Sequence, residues 1–141
     1  MRALHGHFAR QACVAPLEPG ASGLQVFTQD WRVTRKINAD LRRLEQEFVV
    51  QVRGEASPQA LERLARGVMR NDRELPKAKA SWQNETHLRL VLKNPQPGQI
   101  SELCAYLRLE LLGMRRIRLG GVSMGKLPLG QWRYVAATER F

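Results

Sequence analysis

Alternating apolar and polar positions along the chain predict five β-strands. Residues 24–28 alternate roughly as a strand does, and residues 48–52 are β-branched and aromatic, which is typical of a buried strand. Residues 77–83 and 86–93 predict a hairpin with a two-residue turn, and residues 114–119 predict a basic strand. In the second hairpin strand, three leucines share one face and four other residues share the opposite face: Leu88, Leu90 and Leu92 against His87, Arg89, Val91 and Lys93.

Helical spacing predicts three helices, each with one apolar side. The first follows Asp30, which favours the N-cap position, and the second begins at Ser57 and Pro58, a cap followed by a residue suited to the first helical position. The predicted apolar sides consist of Trp31, Ile37 and Leu41 in the first helix, of Leu61, Leu64 and Val68 in the second, and of Ile100, Leu103, Cys104, Leu107 and Leu111 in the third. The other side of the first helix is basic, with Arg32, Arg35, Lys36, Arg42 and Arg43.

The order of these elements contains no regular alternation of strand and helix, which favours an α+β fold. A length of 141 residues suffices for one compact domain and is too short for two ordinary ones, so we expect a single domain over residues 1–141. Residues 1–16 carry no clear period, and the Pro and Gly residues at 16–20 predict a loop.

The charge of the chain indicates a polyanionic partner. Lys and Arg together number 23 against 13 Asp and Glu, which gives a net charge of +10, and 18 of the cations are Arg. Arginine favours planar, bidentate partners such as phosphate, so nucleic acid is the first candidate. A basic module that binds an acidic protein is the weaker alternative.

Several classes of protein are excluded by the sequence. The two cysteines cannot form a disulfide framework, and no Cys/His cluster has the spacing of a zinc site, so we expect a reducing, cytoplasmic setting and no metal. No apolar run is long enough to span a membrane, and the N-terminal residues lack the continuous apolar core of a signal peptide. Phosphate-binding loops, hydrolase nucleophile motifs and zinc-protease motifs are also absent.

The basic strand at 114–119 is the first candidate for a phosphate contact. It contains Arg115, Arg116 and Arg118, and regular strand alternation would place Arg116 and Arg118 on the same side as a two-pronged contact. A solvated charged face is the alternative for any one of these arginines.

Three segments from residue 17 onward are distinctive: residues 17–30, residues 45–52 and residues 114–133. The last segment contains Arg116, Arg118, Gly120, Leu127, Gly130, Trp132 and Arg133. In this order the segments resemble the catalytic Asp motif, the strand that carries a stacking Tyr and the closing motif of the rRNA pseudouridine synthases of the RsuA/RluF type.

The resemblance implies a mixed, mainly antiparallel sheet with helices packed on one side, truncated at its N-terminus, with residues 1–16 unmatched. It implies an isomerase without a cofactor, in which an Asp reacts with a flipped-out uridine, an aromatic ring stacks on the base and an Arg pairs with the Asp. Glu18 occupies the Asp position and Phe48 the Tyr position. Together with the basic residues already described, the candidate RNA contacts are Arg35, Lys36, Gln99, Arg115, Arg116, Arg118 and Arg133.

Three departures from the family pattern predict weak or absent catalysis. Glu18 extends the carboxylate by one methylene, Pro16 replaces an Arg, and the basic motif has become Gly98, Ser101 and Glu102 around the matching Gln99 and Ile100. Two functions remain open: a silent relative that binds structured RNA such as rRNA, and an active synthase that uses Glu18. A sheet that lacks strands exposes an edge, which predicts a homodimer.

Overall fold

A computed structural model describes residues 11–128, 130–136 and 139–141 of the chain. The fold is α+β, with three helices and ten strands in the described part. The helices are α1 (Trp31–Asp40), α2 (Pro58–Arg66) and α3 (Gln99–Tyr106). The strands are β1 (Ala12–Val14), β2 (Ala21–Gly23), β3 (Val26–Thr28), β4 (Glu45–Arg53), β5 (Met69–Arg70), β6 (Arg73–Glu74), β7 (Ala78–Trp82), β8 (His87–Lys93), β9 (Glu110–Leu119) and β10 (Val122–Ser123).

The principal sheet has six strands and is mixed, as expected. Its order is β10-β9-β4-β8-β7, with antiparallel neighbours throughout, and β2 adds a parallel pair on β9. The central strand β4 pairs with β8 on one side, where Phe48 lies opposite Leu90, and with β9 on the other. The predicted hairpin over 77–93 is confirmed as β7 and β8.

The hydrophobic core lies on one face of this sheet. Leu88, Leu90 and Leu92 of β8 are almost fully buried there against α2 and α3, which contribute Leu64 and Ile100. A second, smaller cluster joins α1 to the sheet through a short list of buried residues: Val14, Ala15, Val26, Ile37 and Leu119. The expected arrangement, with helices on one side of the sheet, is confirmed.

A β-bulge in β9 changes which way its arginines point. Phe48 lies opposite Arg116, and its neighbour Glu47 lies opposite Arg118, so Ile117 is the extra residue. Successive residues of β4 face opposite sides, and therefore Arg116 and Arg118 do as well. The predicted two-pronged phosphate contact is wrong, because the bulge breaks the alternation on which it depended.

The predicted N-caps of two helices are confirmed, but the predicted apolar side of α1 includes an exposed residue. The Asp30 carboxylate accepts the N–H of Arg32 at 2.9 Å, and the Ser57 hydroxyl accepts the N–H of Ala60 at 3.2 Å, which confirms both N-caps. Trp31, predicted on the apolar side of α1, is 64% exposed. At about 100° per residue, Trp31 and the buried Ile37 are roughly 120° apart around the helix.

Helix α3 is shorter than its apolar spacing predicts. It ends at Tyr106, and Arg108 then has a φ of 59°, in the left-handed region that terminates helices. Leu111, predicted on the helix, lies in β9 instead. Leu107, Leu109 and Leu111 are also two residues apart, so a strand period was present in the same run.

Several short strands were missed: β1, β2, the β5–β6 hairpin and β10. Residues predicted as unpatterned include β1, which pairs antiparallel with β3. A second hairpin joins β5 to β6 through Asn71 and Asp72, both with positive φ, and Asn and Asp are the residue types that such a turn favours. No helix in the described ranges is long and apolar enough to cross a membrane.

Gly23 is required where β2 runs beside β9. Its φ is +105°, and a Cβ atom at this position would overlap the carbonyl oxygen of Arg116. We therefore expect Gly23→Ala to lower the free energy of unfolding by about 3 kcal/mol. Gly113→Ala in β9 is the matched control, because open space surrounds that position and a change within about 0.5 kcal/mol is expected. Urea denaturation measures both, and equal midpoints for the two variants would contradict the assignment.

Candidate functional site

Arg116 lies at the point where the motif segments meet. Its side chain is 1% exposed, and its guanidinium donates to the carbonyl oxygens of Ala15 at 2.7 Å and of Leu24 at 2.9 and 3.1 Å. It also donates to Oε1 of Gln46 at 3.3 Å. Burial lowers the pKa of Arg116 to about 10, so the guanidinium is still charged at neutral pH.

The hydrogen bonds of Arg116 hold a loop of the protein in place rather than binding a ligand. Ala15 and Leu24 stand on either side of the segment that carries Glu18, and one guanidinium bonds both ends. The guanidinium has three acceptor atoms within the protein, and almost none of its surface is left for solvent. The prediction that Arg116 contacts RNA is corrected: the residue is a buried structural group that positions the loop.

Glu18 meets the start of α3. The carboxylate is half-buried, and its Oε2 accepts the backbone N–H of Gly98 at 3.0 Å. Gly98 is the N-cap of α3, where N–H groups and the helix dipole favour a negative charge. The structure thus brings together Glu18, at the position of the family's Asp, and Gly98, at one of the family's Arg positions.

The contact lacks the cation that the family pattern places there. In the described part of the chain, Glu18 makes no ion pair, and its side-chain oxygen is bonded by a backbone N–H. A cavity of about 240 Å³ has Gly98 in its lining. Its charged lining residues are Arg73, Glu74 and Glu102, so carboxylates outnumber cations around it.

Phe48 does not present a ring to solvent. It is 4% exposed and belongs to the main core, opposite Arg116 in the sheet register. A stacking platform must leave one ring face accessible to a base. The expectation that Phe48 stacks on a base is therefore corrected for this conformation, because the ring packs in the core.

Two other predicted contacts are engaged within the protein. Arg118 is half-buried and donates to the carbonyl of Gly120 at 2.8 Å and to Glu45 at 3.1 Å. Arg133 forms a bidentate pair with Glu139 at 2.6 and 2.9 Å, and this pairing lowers the pKa of the Glu139 carboxyl to about 2. Both arginines hold parts of the C-terminal segment in place.

Gln99 is likewise occupied. Its side-chain Oε1 accepts the backbone N–H of Gln96 at 2.8 Å, just before α3, which leaves its amide N–H groups for other partners. Cys104, on the same helix, is buried, and desolvation raises the pKa of its thiol to about 11, so it is an inert core residue.

The remaining predicted RNA contacts are exposed. Arg115 extends from the sheet face opposite the core, and Arg35 and Lys36 extend from α1. The Arg35 guanidinium lies 5.3 Å from the ring centroid of Trp31. The sequence analysis missed Trp31 as a functional candidate, although its spacing of four residues from Arg35 places both on one helix stripe. Contact of these residues with RNA stays a prediction.

Comparison with known proteins points to one group of enzymes. No family model matches the sequence. The chain is 25% identical over 129 residues to the ribosomal large subunit pseudouridine synthase B of Yersinia pestis, covering 88% of this chain and 41% of that protein. It is also 25% identical over 133 residues to the dual-specificity RNA pseudouridine synthase RluF of Salmonella typhi, covering 94% and 46%.

The fold agrees with these relatives. A crystal structure of a pseudouridylate synthase superposes with a TM-score of 0.83 at 18% identity, over 95% of this chain and 60% of that chain. The resemblance to the RsuA/RluF-type synthases is therefore confirmed, and the fold is that of a pseudouridylate synthase. The chain spans about two fifths of the length of the curated relatives.

The structural role of Arg116 can be tested by substitution. Arg116→Met leaves buried carbonyl oxygens without donors, and we expect it to lower the free energy of unfolding by about 3–5 kcal/mol. Arg116→Lys restores the charge but not the fork of donors, so it should recover little of this loss. Arg115→Met, on the exposed neighbour, is the control, with a change within about 0.5 kcal/mol. Equal stability of the two Met variants in urea denaturation would show that Arg116 does not hold the loop.

Proposed function

We propose that this chain, whose curated homologues are rRNA pseudouridine synthases, binds structured RNA and has lost most or all isomerase activity. The observation that carries the proposal is the bond between Glu18 and Gly98. This hydrogen bond engages the Glu18 carboxylate at the position where the resemblance implies pairing with a guanidinium group. A cytoplasmic location and an rRNA partner belong to the same proposal.

The geometry of the carboxylate argues against efficient attack on a uridine. Glu18 is one methylene longer than Asp, which displaces the reacting oxygens by about 1.5 Å. A misplacement near 1 Å can cost about a hundredfold in rate. A backbone N–H also cannot replace a guanidinium, which would hold both carboxylate oxygens in a bidentate pair.

The groups that would bind an extruded uridine, a stacking ring and cations for its phosphate, are poorly provided as well. The Phe48 ring lies in the core, and the cavity beside Gly98 carries Glu74 and Glu102 among its charged residues. Extruding a uridine from RNA costs a few kcal/mol, which such a pocket has little means to offset.

RNA binding is supported by the charge that the fold leaves exposed. The net charge is +10, and Arg115, Arg35 and Lys36 extend into solvent. A surface of this sign attracts phosphates at long range without requiring an active carboxylate. The proposal therefore separates binding, which the exposed cations support, from catalysis.

An active synthase is the second candidate. It is favoured by the convergence of the Glu18 loop, Arg116 and the start of α3, since this scaffold would hold a working carboxylate in the same place. A homodimer through an exposed sheet edge also stays a prediction. The strand it would use is β7, which has a hydrogen-bonded neighbour on one side only among the described strands.

We expect no pseudouridine when the chain is incubated with rRNA fragments or hairpin transcripts. Carbodiimide labelling followed by primer extension, together with mass spectrometry of digested RNA, measures the product. Stoichiometric pseudouridine that disappears in the Glu18→Gln variant would overturn the proposal in favour of an active synthase. Product that persists in Glu18→Gln would indicate a contaminating enzyme, since the variant lacks the ionised carboxylate.

We expect the same protein to bind structured RNA with an affinity that falls steeply as salt rises. Neutralised phosphates release counterions, so the logarithm of the binding constant should fall linearly with the logarithm of salt concentration. Fluorescence anisotropy between about 50 and 200 mM salt measures the slope. Glu18→Gln should bind as the wild type does, and the absence of binding at low salt would contradict the proposal.

A further inference from the structure

The outward side of α1 and the turn that follows it form a basic surface with one aromatic ring. We call it the α1 basic face, and its members are Trp31, Arg32, Arg35, Lys36, Arg42 and Arg43, all of which are exposed. The acidic residues of this segment are Asp30, which caps the helix and pairs with Arg32 at 3.3 Å, and the half-buried Asp40. The surface thus carries a clear excess of positive charge.

Trp31 has no role in the core. Its side chain is 64% exposed, while the apolar contacts of α1 are made by Ile37 and the partly buried Val33 and Leu41. The Arg35 guanidinium lies over the indole at 5.3 Å, which gives a planar cation beside a planar ring. An exposed aromatic ring beside arginines is the arrangement on which unpaired bases stack in single-stranded nucleic-acid binding.

The basic face extends from α1 into the turn after it. Trp31 and Arg35 lie one turn apart on the helix, and Arg32 and Lys36 form the stripe beside them. Arg42 and Arg43 lie in the turn beyond Asp40. The ten residues of α1 are about 15 Å long, enough to contact more than one nucleotide.

We propose that the α1 basic face is the RNA-contact site of this protein and that Trp31 stacks on an unpaired base. The inference rests on the proposed RNA-binding function and gives it a location that does not involve Glu18. Arg35 extends the stacking surface, and Arg42 and Arg43 contact phosphates.

The chemistry favours RNA over an acidic protein. Four of the five cations on this face are Arg, whose planar fork matches phosphate and also stacks on bases. Every base offers a π-face to an indole, whereas Asp and Glu side chains offer none. The base must be unpaired, because the faces of paired bases are covered by their neighbours in the duplex.

The first experiment separates stacking from charge. The probes are a twelve-nucleotide oligouridylate and a fully paired RNA duplex of about the same length, and the proteins are the wild type, Trp31→Ala and Trp31→Phe. We expect Trp31→Ala to weaken binding of the oligouridylate about tenfold, while Trp31→Phe retains most of the affinity. Binding of the duplex should change less than twofold. Quenching of tryptophan fluorescence by oligouridylate should be large in the wild type and mostly lost in Trp31→Ala.

The second experiment controls for net charge. Arg35→Gln/Arg42→Gln and Arg63→Gln/Arg66→Gln each remove two positive charges from exposed positions, the first pair from α1 and the turn after it and the second pair from α2. We expect the α1 pair to weaken oligouridylate binding at least tenfold and to lower the salt slope by about 1.4. The α2 pair should change affinity no more than threefold. Thermal unfolding of all variants confirms that exposed substitutions leave the fold intact.

The outcomes distinguish this inference from the proposed function. If the wild type binds RNA but the Trp31→Ala and α1 variants bind equally well, the site lies elsewhere and RNA binding stands. If the wild type binds no RNA at low salt, the proposed function fails and this inference fails with it. If polyglutamate competes as effectively as oligouridylate, and Trp31→Ala affects both equally, the face attracts polyanions without stacking on a base, and this inference is wrong while RNA binding stands.

Discussion

The buried guanidinium of Arg116 is the interaction on which the site region depends. A charged group with 1% exposure is stable in a protein only when its donors find acceptors, and here the acceptors are carbonyls on both sides of the Glu18 loop. The same residue lies opposite Phe48 at the centre of the sheet. One side chain therefore couples the middle of the sheet to the loop that would carry the chemistry.

The bulge in β9 makes this arrangement possible. It turns Arg116 toward the core while Arg118, two residues later, faces the other side and pairs with Glu45. Gly23 then allows β2 to approach the Arg116 backbone, since any side chain there would overlap the carbonyl oxygen. The scaffold around the loop is thus specified by a few interdependent residues, which bond to one another and to the backbone.

Periodicity predicted most of the fold because the sheet has one buried face. The leucines of β8 alternate strictly, and Asp30 and Ser57 cap their helices through local bonds, so these features depend on neighbours in sequence. The burial of Arg116 could not be predicted in this way, since it requires a bulge and carbonyls about 100 residues distant. The α3 boundary was missed because Leu107 and Leu111 satisfy a helical and a strand period alike. The contact between Glu18 and Gly98 joins residues 80 apart in sequence, so no local pattern predicted it.

The positive charge of the chain serves two separate purposes. Arg116, Arg118 and Arg133 bind carbonyls and carboxylates of the protein itself, so part of the positive charge is engaged within the fold. Composition counts these residues together with the exposed cations of α1 and cannot tell them apart. Burial and hydrogen bonding do tell them apart: within the closing segment Arg116 is buried and Arg118 and Arg133 bond to the protein, while Arg115 is exposed. The arginines that match the family's closing motif are thus engaged mainly within the fold, whereas α1, which lies outside the three matched segments, carries a cluster of exposed cations beside an exposed ring.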